Sequence, residues 1–197
     1  MRAAQDRISR SKQLITLLRR DVDDGVSILA FVSVGHTDAA VGAFEAGKGH
    51  VPILLRAALL QRLVMTVARL HDSNGDVDSL PTLFRLLDDP LVRDGFLGAP
   101  EFKEALTFAR ERWAKFHGDA RVERIRLFRN RYLAHTISQK WGFDKPVFGD
   151  ITDVAAGTFG IVEALSVASG TSVLLKDVHE IWKERAEDYW RRLIPRS

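Results

Sequence analysis

The sequence contains no cysteine, so neither a disulfide framework nor thiol chemistry contributes to this protein. A chain without disulfides suits a reducing compartment. No signal-peptide apolar region follows the first residues, MRAAQDRISR, and the long apolar stretch VPILLRAALLQRLVMTVARL is interrupted by three arginines. We therefore expect a cytoplasmic protein that has no membrane partner.

Sequence motifs for metal or nucleotide chemistry are also missing. HExxH, the P-loop and GxSxG do not occur, and no two histidines have helical ligand spacing with a carboxylate to match. Apart from the histidine of the motif discussed below, the histidines are scattered: His36, His50, His71, His117 and His179. We expect no metal site and no bound cofactor.

The excess of positive charge is small, because the formal net charge is only +3, and it does not by itself indicate a polyanionic partner. The distribution of the charges is more informative. Between residues 121 and 140 the only acid is Glu123, and the basic residues are Arg121, Arg124, Arg126, Arg129, Arg131 and Lys140. Such a run is typical either of a solvated helix face or of a surface that contacts phosphate.

Apolar residues recur at helical intervals along most of the chain, and strings of alternating apolar and polar residues bounded by hairpin turns are missing. We predict one all-α domain over residues 1–197, with about six or seven helices. Ser79 is expected to cap a short helix, the long helical region that contains Trp113 and Phe116 is expected to break at Gly118, and both aromatic residues are expected in the core. The stretch VSILAFVSV fits either a short strand or a buried helix.

One arginine lies among apolar positions. Val122, Ile125, Tyr132 and Leu133 fall on one side of their predicted helix, and Arg129 is in the middle of that stripe. A guanidinium group cannot lose its charge, so its burial without an anion is costly. Arg129 therefore needs a carboxylate from another helix, a bound phosphate, or a subunit interface that stays hydrated.

The central helix predicted from Val51 to about Asp72 offers such a carboxylate. Arg62, Met65, Arg69 and Asp72 share one face of this helix, which indicates either a functional groove or a polar network in the core. On the simpler interpretation, Asp72 pairs with Arg69 or Arg129 and fixes the packing of the helices.

The stretch RNRYLAH, residues 129–135, resembles the signature of the HEPN superfamily: an arginine, a polar residue and a histidine close behind. Together with ARLHDSNGDVDSLPTLFRLLDD, it resembles the abortive-infection, AbiU-like branch of HEPN domains. The resemblance is clearest over residues 50–170. It implies a HEPN-like helical bundle with the motif near the end of a late core helix.

The resemblance also implies a function, namely a metal-independent endoribonuclease that acts as a homodimer and serves as a toxin or in phage defence. Its partners would be RNA and a separate antitoxin protein. Carried over to this sequence, the catalytic residues would be Arg129, Asn130 and His135, with Arg69 and Asp72 behind them. Flanking phosphates would be held by Arg124, Arg131 and Lys140.

His135 lies six residues beyond Arg129, about 120° away around an ideal helix, so the two side chains would not meet within one straight helix. Either the helix deforms near His135, or a second copy of the motif completes the site. The alternative function is a HEPN module without catalysis, which binds RNA, a nucleotide or a partner protein. Such a module needs cations but has no specific need of a titratable imidazole, so His135 favours the ribonuclease.

Overall fold

The structure is a computed structural model that describes residues 2–37, 40–42, 51–96, 100–130, 146–170 and 176–193. Its described part contains helices and turns and no β-strand, which confirms the predicted all-α class. The helices with both ends described are α1 (Arg2–Val34), α2 (Val51–Leu70), α3 (Leu80–Leu87), α4 (Pro90–Phe96), α5 (Pro100–Phe116), α6 (Ala120–Phe128), α7 (Phe148–Ala168) and α8 (Lys176–Leu193).

The first helix is the longest and packs against α2, α3, α4, α7 and α8. Its buried face repeats every four residues through Leu14, Leu18, Val22 and Val26, all of which are excluded from solvent. The period continues through VSILAFVSV, so the stretch with two interpretations is a buried helix and not a strand. A continuous stripe of this length lets a single helix organise the core around itself.

The seventh helix is the second central element, and it packs against α1 and α5. Its side chains are buried on several sides, as Ile151, Val154, Phe159 and Ile161 illustrate. Helix α1 approaches α7 closely at Gly25, where an added Cβ would overlap the ring of Phe159. The missing side chain at Gly25 therefore sets the separation of the two helices.

The third helix begins as the sequence predicts. Ser79 is its N-cap and accepts a hydrogen bond from the backbone N–H of Thr82 at 3.4 Å, with Pro81 in the first turn. The predicted break near Gly118 is also present: this glycine has φ of 74°, and Asp119 caps α6 through the backbone N–H of Arg121.

The short helix α4 is an element that the helical periodicity does not predict, and it raises the number of helices above the six or seven expected. Only Val92 among its described side chains is buried. A helix of seven residues with one buried position gives too weak a periodic signal to be distinguished from a connection.

The last helix closes the fold against α1. Trp190 is buried, and its indole N–H donates a hydrogen bond to the carbonyl of Phe31 at 2.8 Å. Trp182 and Tyr189 pack their rings against the ring of Phe31 as well. These contacts hold the last helix against the first.

Among the described helices, α7 is the one that is long and apolar enough to cross a membrane by length and composition. Half of that apolar window is buried inside the protein. Because a core helix passes the same test, this is weak support for a membrane span, and no stronger membrane signal occurs in the described residues.

The contact between Gly25 and Phe159 can be tested by adding a methyl group. Gly25→Ala is expected to lower the free energy of unfolding by about 1–3 kcal/mol, because the ring is buried and has little room to move. Gly149→Ala is the matched control, since a Cβ there meets nothing within 4 Å and should change stability by less than about 0.5 kcal/mol. Urea denaturation followed by circular dichroism measures both, and equal stabilities would contradict the close packing of α1 on α7.

Candidate functional site

Arg129 finds its anion in Asp72, which lies just beyond the end of α2. The guanidinium Nη1 donates a hydrogen bond to Asp72 Oδ2 at 2.9 Å, and each side chain is about one-fifth exposed (21% and 19%). Of the two pairings open to Asp72 from the sequence, the structure therefore contains the one with Arg129. The pair connects the end of α6 to the end of α2.

Asp72 is held in place by the turn that follows it. Its Oδ1 accepts a hydrogen bond from the backbone N–H of Asn74 at 3.0 Å, and Asn74 Oδ1 in turn accepts one from the N–H of Asp76 at 3.2 Å. Asn and Asp favour such side-chain turns, which explains the local conformation of HDSNGD. One carboxylate oxygen of Asp72 thus binds backbone and the other binds the guanidinium of Arg129.

The pKa of Asp72 lies below its usual range. The hydrogen bond from the Asn74 backbone N–H is the largest cause, and the hydrogen bond and charge of Arg129 act in the same direction, with a further contribution from Arg126. Partial burial of the carboxyl group opposes them. The carboxylate is therefore ionised at neutral pH and available to orient Arg129.

Asn130 holds the other side of the same guanidinium. Its Oδ1 accepts a hydrogen bond from Arg129 Nε at 2.8 Å. At these two residues the helix widens from an α-helical into a π-helical turn. Arg129 Nη2 contacts no acceptor from the described part of the chain.

Arg69 is engaged elsewhere. Its guanidinium pairs with Asp21 on α1 and not with Asp72. Burial lowers the pKa of Arg69, and the charge of Asp78 opposes that effect. Arg62 and Met65, the other members of the predicted face, are exposed on α2. The side chains of Arg62 and Met65 on this face are therefore exposed, whereas Arg69 helps to hold α2 against α1 through its pair with Asp21.

Arg124 also has a partner. It donates to Asp150 on α7 at 2.6 Å, where the two side chains are 29% and 17% exposed. Arg124 and Arg129 are five residues apart, which places them about 140° apart around the helix. The structure therefore does not bring Arg124 together with Arg129, and its predicted contact with phosphate stays a prediction.

His71, which the sequence interpretation treated as one of several scattered histidines, lies directly behind the ion pair. It is buried, and its Nε2 is 2.8 Å from the hydroxyl of Thr158, which itself donates to the carbonyl of Val154 at 2.6 Å. Because that hydroxyl proton is already used, His71 Nε2 must carry a hydrogen and donate it to Thr158. The signal that would have found His71 is its spacing, since it continues the buried stripe of Val64 and Val67.

The imidazole of His71 is neutral at physiological pH. The pKa of His71 is lowered to about 4, mainly by burial and also by the charge of Arg126, while the charge of Asp119 acts in the opposite direction. Its ring also packs against Trp113, with ring centroids 4.8 Å apart, and against Phe116 at 5.4 Å. His71 is thus a rigid, uncharged support for Asp72, the next residue in the chain.

A cleft of about 590 Å³ lies beside His71. His71, Trp113 and Phe116 line it from one side, and Glu123 and Arg126 on α6 line it from another. Trp113 and Phe116, the two aromatic residues expected in the core, pack against the core but are only half-buried, and both line the cleft. Glu123 and Arg126 form an ion pair of 3.0 Å along this side of the cleft.

Comparison with known protein families assigns the chain to a family. A family model described as AbiU2, of the HEPN type, matches residues 45–193, which is more than half of the chain. The chain belongs to the AbiU2 family of HEPN domains. Comparisons with curated proteins and with solved structures gave no match.

The AbiU2 match contains Asp72, the Arg129–Asn130 pair and the closing helix α8, so it extends beyond the residues 50–170 over which the motif resemblance is clearest. The described part of the motif ends at Asn130. Three predicted site residues lie outside the described residues, and their roles stay predictions: Arg131, His135 and Lys140.

The described residues of this AbiU2 domain offer no group of three or more histidine, aspartate or glutamate side chains that could hold a metal ion. The polar side chains near Arg129 instead form hydrogen bonds within the protein. Asp72 accepts hydrogen bonds from a backbone N–H and from a guanidinium. Its neighbour His71 forms a hydrogen bond with a hydroxyl and packs against two aromatic rings.

A double-mutant cycle would measure the pair between Asp72 and Arg129. We expect a coupling free energy of about 1–2 kcal/mol between Asp72→Ala and Arg129→Ala, because the pair is largely shielded from solvent. The control is the exposed pair of Arg110 and Asp88, for which about 0–0.5 kcal/mol is expected. Equal couplings in urea denaturation would mean that the first pair contributes no more than an ordinary surface contact.

The neutral state of His71 predicts a pH dependence of stability. In the unfolded chain its imidazole binds a proton near pH 6.5, whereas in the folded protein it does so only near pH 4. Stability should therefore fall as the pH is lowered from about 6.5 to about 4, by about 3 kcal/mol from this residue, and the effect should level off below that range.

His71→Gln is the matched variant for this measurement, because an amide still donates to Thr158 but does not titrate. The difference in the free energy of unfolding between wild type and variant, measured in urea at pH 7, 6, 5 and 4, isolates the contribution of His71. A difference that is constant with pH would show that the imidazole is not held neutral.

Proposed function

We propose that this protein is a metal-independent endoribonuclease that cleaves RNA at a site shared by two copies of the chain. The observation that carries the proposal is the fixed guanidinium of Arg129, which Asp72 and Asn130 hold through Nη1 and Nε. Its Nη2 contacts no acceptor from the described residues. A planar, permanently charged group held in this way is suited to a phosphate oxygen.

The held arginine would act on the transition state. As the 2′-oxygen attacks phosphorus, negative charge grows on the non-bridging oxygens, and a donor that is already oriented stabilises that charge without reorganising. Asp72 is itself anionic, but the backbone N–H of Asn74 and the charge of Arg126 compensate it in part. The arrangement therefore keeps Arg129 in place.

His135 would carry the proton chemistry. An imidazole takes the proton of the 2′-hydroxyl while the new bond from the 2′-oxygen to phosphorus forms, and a protonated imidazole gives a proton to the 5′-oxygen as its bond to phosphorus breaks. The products are a 2′,3′-cyclic phosphate and a 5′-hydroxyl. The π-helical turn at residues 129–130 supports this role, because it is a helix deformation of the kind needed to bring His135 towards Arg129.

The setting we propose for this activity is abortive infection, in accordance with the family. Cleavage of RNA in the cytoplasm would stop the growth of a cell infected by phage. An enzyme with that effect must be restrained in healthy cells, so we also propose a separate antitoxin protein as a partner. The substrate RNA would be single-stranded, because in-line attack needs a flexible backbone at the cleaved position.

Cleavage of total RNA and transfer RNA in excess EDTA tests the proposal. Wild type is expected to cut, whereas Arg129→Ala and His135→Ala should lose about 10²-fold or more of the rate. Arg110→Ala, an exposed arginine on α5, is the matched control and should cut at the wild-type rate. If wild type and His135→Ala show the same background, the protein is a binding module and not a nuclease.

A mixing experiment tests whether two chains share the site. Arg129→Ala and His135→Ala proteins are each expected to be inactive, but a heterodimer would contain one site with an intact arginine and an intact histidine from different chains. After unfolding and refolding together, the mixture should recover about a quarter of the wild-type activity. No recovery in a mixture that forms dimers would place both residues of a site on the same chain.

A further inference from the structure

We propose that the cleft between α5 and α6 is a binding pocket for an unpaired RNA base next to the cleaved phosphate. The pocket is lined by His71, Trp113 and Phe116 on its inner side and by Glu123 and Arg126 at its mouth. This inference rests on the proposed function only in taking RNA as the ligand. It assigns to the cleft a role in choosing which base is bound.

The position of the cleft suits a nucleotide neighbouring the one at Arg129. His71 and Asp72 are consecutive, and Arg126 precedes Arg129 by three residues, or about 5 Å along the helix. Arg126 acts electrostatically on both His71 and Asp72, so it forms the boundary between the cleft and the ion pair. A strand whose phosphate lies at Arg129 would therefore bring an adjacent base to the cleft.

The inner wall has the chemistry of a stacking surface. Trp113 is half-buried, with its ring tilted against His71 and against Phe84 at 5.7 Å between centroids. Because His71 is uncharged and its Nε2 is occupied by Thr158, the wall presents aromatic surface and no competing charge. Proteins that bind single-stranded RNA stack unpaired bases on aromatic side chains of this kind.

The wall is also fixed before any ligand arrives. Phe116 is seated against α7 at Gly157, where an added Cβ would come within 2.6 Å of its ring. Gly118, whose φ is positive and whose Cα faces open space, turns the chain sharply between α5 and α6. A pocket that needs no rearrangement keeps the entropic cost of binding low.

The mouth provides polar groups suited to a base edge. Glu123 accepts hydrogen bonds and Arg126 donates them, and the two are 3.0 Å apart across an exposed ion pair that a ligand can replace at little cost. Base edges carry donors and acceptors side by side. The volume of the cleft, about 590 Å³, lies within the usual range of small-molecule binding pockets.

The test uses single-stranded 2′-O-methyl RNA of six nucleotides, which cannot be cleaved, and measures its binding by fluorescence anisotropy. Trp113→Ala is expected to bind about tenfold more weakly than wild type, and Trp113→Phe within about threefold of it, because the phenyl ring still stacks. Trp182→Ala is the control, since Trp182 lies in a separate groove beside α8 and should leave affinity unchanged. Equal affinities for wild type and Trp113→Ala would overturn the proposal.

Base choice provides a second test that does not depend on the folding of the Trp113 variants. Glu123 is exposed, so Glu123→Ala should remain folded. We expect it to change the ranking of affinities among oligonucleotides of A, C, G and U by about fivefold or more, whereas Glu111→Ala on α5 should not. An unchanged ranking would show that the mouth of the cleft does not read the base.

The two proposals fail in different ways. Binding that depends on Trp113, without cleavage of ordinary RNA by wild type, would keep the base pocket and remove the nuclease. Cleavage that is indifferent to Trp113 and Glu123 would keep the nuclease and remove the pocket. If wild type neither binds nor cuts RNA, both proposals fall.

Discussion

The charge of Arg129 is the constraint around which this part of the molecule is arranged. Because a guanidinium stays ionised, placing it at the partly buried end of α6 requires an acceptor in a fixed position. The turn after α2 supplies that acceptor in Asp72, and the turn is itself held by Asn74. Asn130 completes the restraint from the same helix. Two helices that are distant in sequence are thereby joined through one charged group.

The layer behind the ion pair explains why its position is stable. His71 is neutral, bonded to Thr158 on α7 and packed between aromatic rings at the end of α5. It brings three helices to one point without adding a charge that would compete with Arg129. Helix α1 supports this arrangement from the other side, since its close approach to α7 at Gly25 fixes the core on which the ends of the helices rest.

Membership of the AbiU2 family and the geometry at Arg129 are two independent observations about this domain. The family relates the chain to abortive infection, and the geometry provides a cation that Asp72 and Asn130 restrain. The neighbouring cleft adds a surface that the motif itself does not include. If Arg129 binds the phosphate and Trp113 and Glu123 bind a base, as we propose, then cleavage and the choice of substrate depend on a shared set of helices.

The sequence by itself determined the helical class, the cap at Ser79, the break at Gly118 and the need of Arg129 for an anion, because each depends on local spacing or on the charge of a single residue. Only the tertiary structure decided which anion that is. The sequence does not distinguish Arg69 from Arg129 as the partner of Asp72. In the folded protein Arg69 pairs with Asp21 of α1, and Arg129 pairs with Asp72. The cleft between α5 and α6 and the burial that keeps His71 neutral both depend on how closely several helices pack. No spacing along the chain specifies that distance.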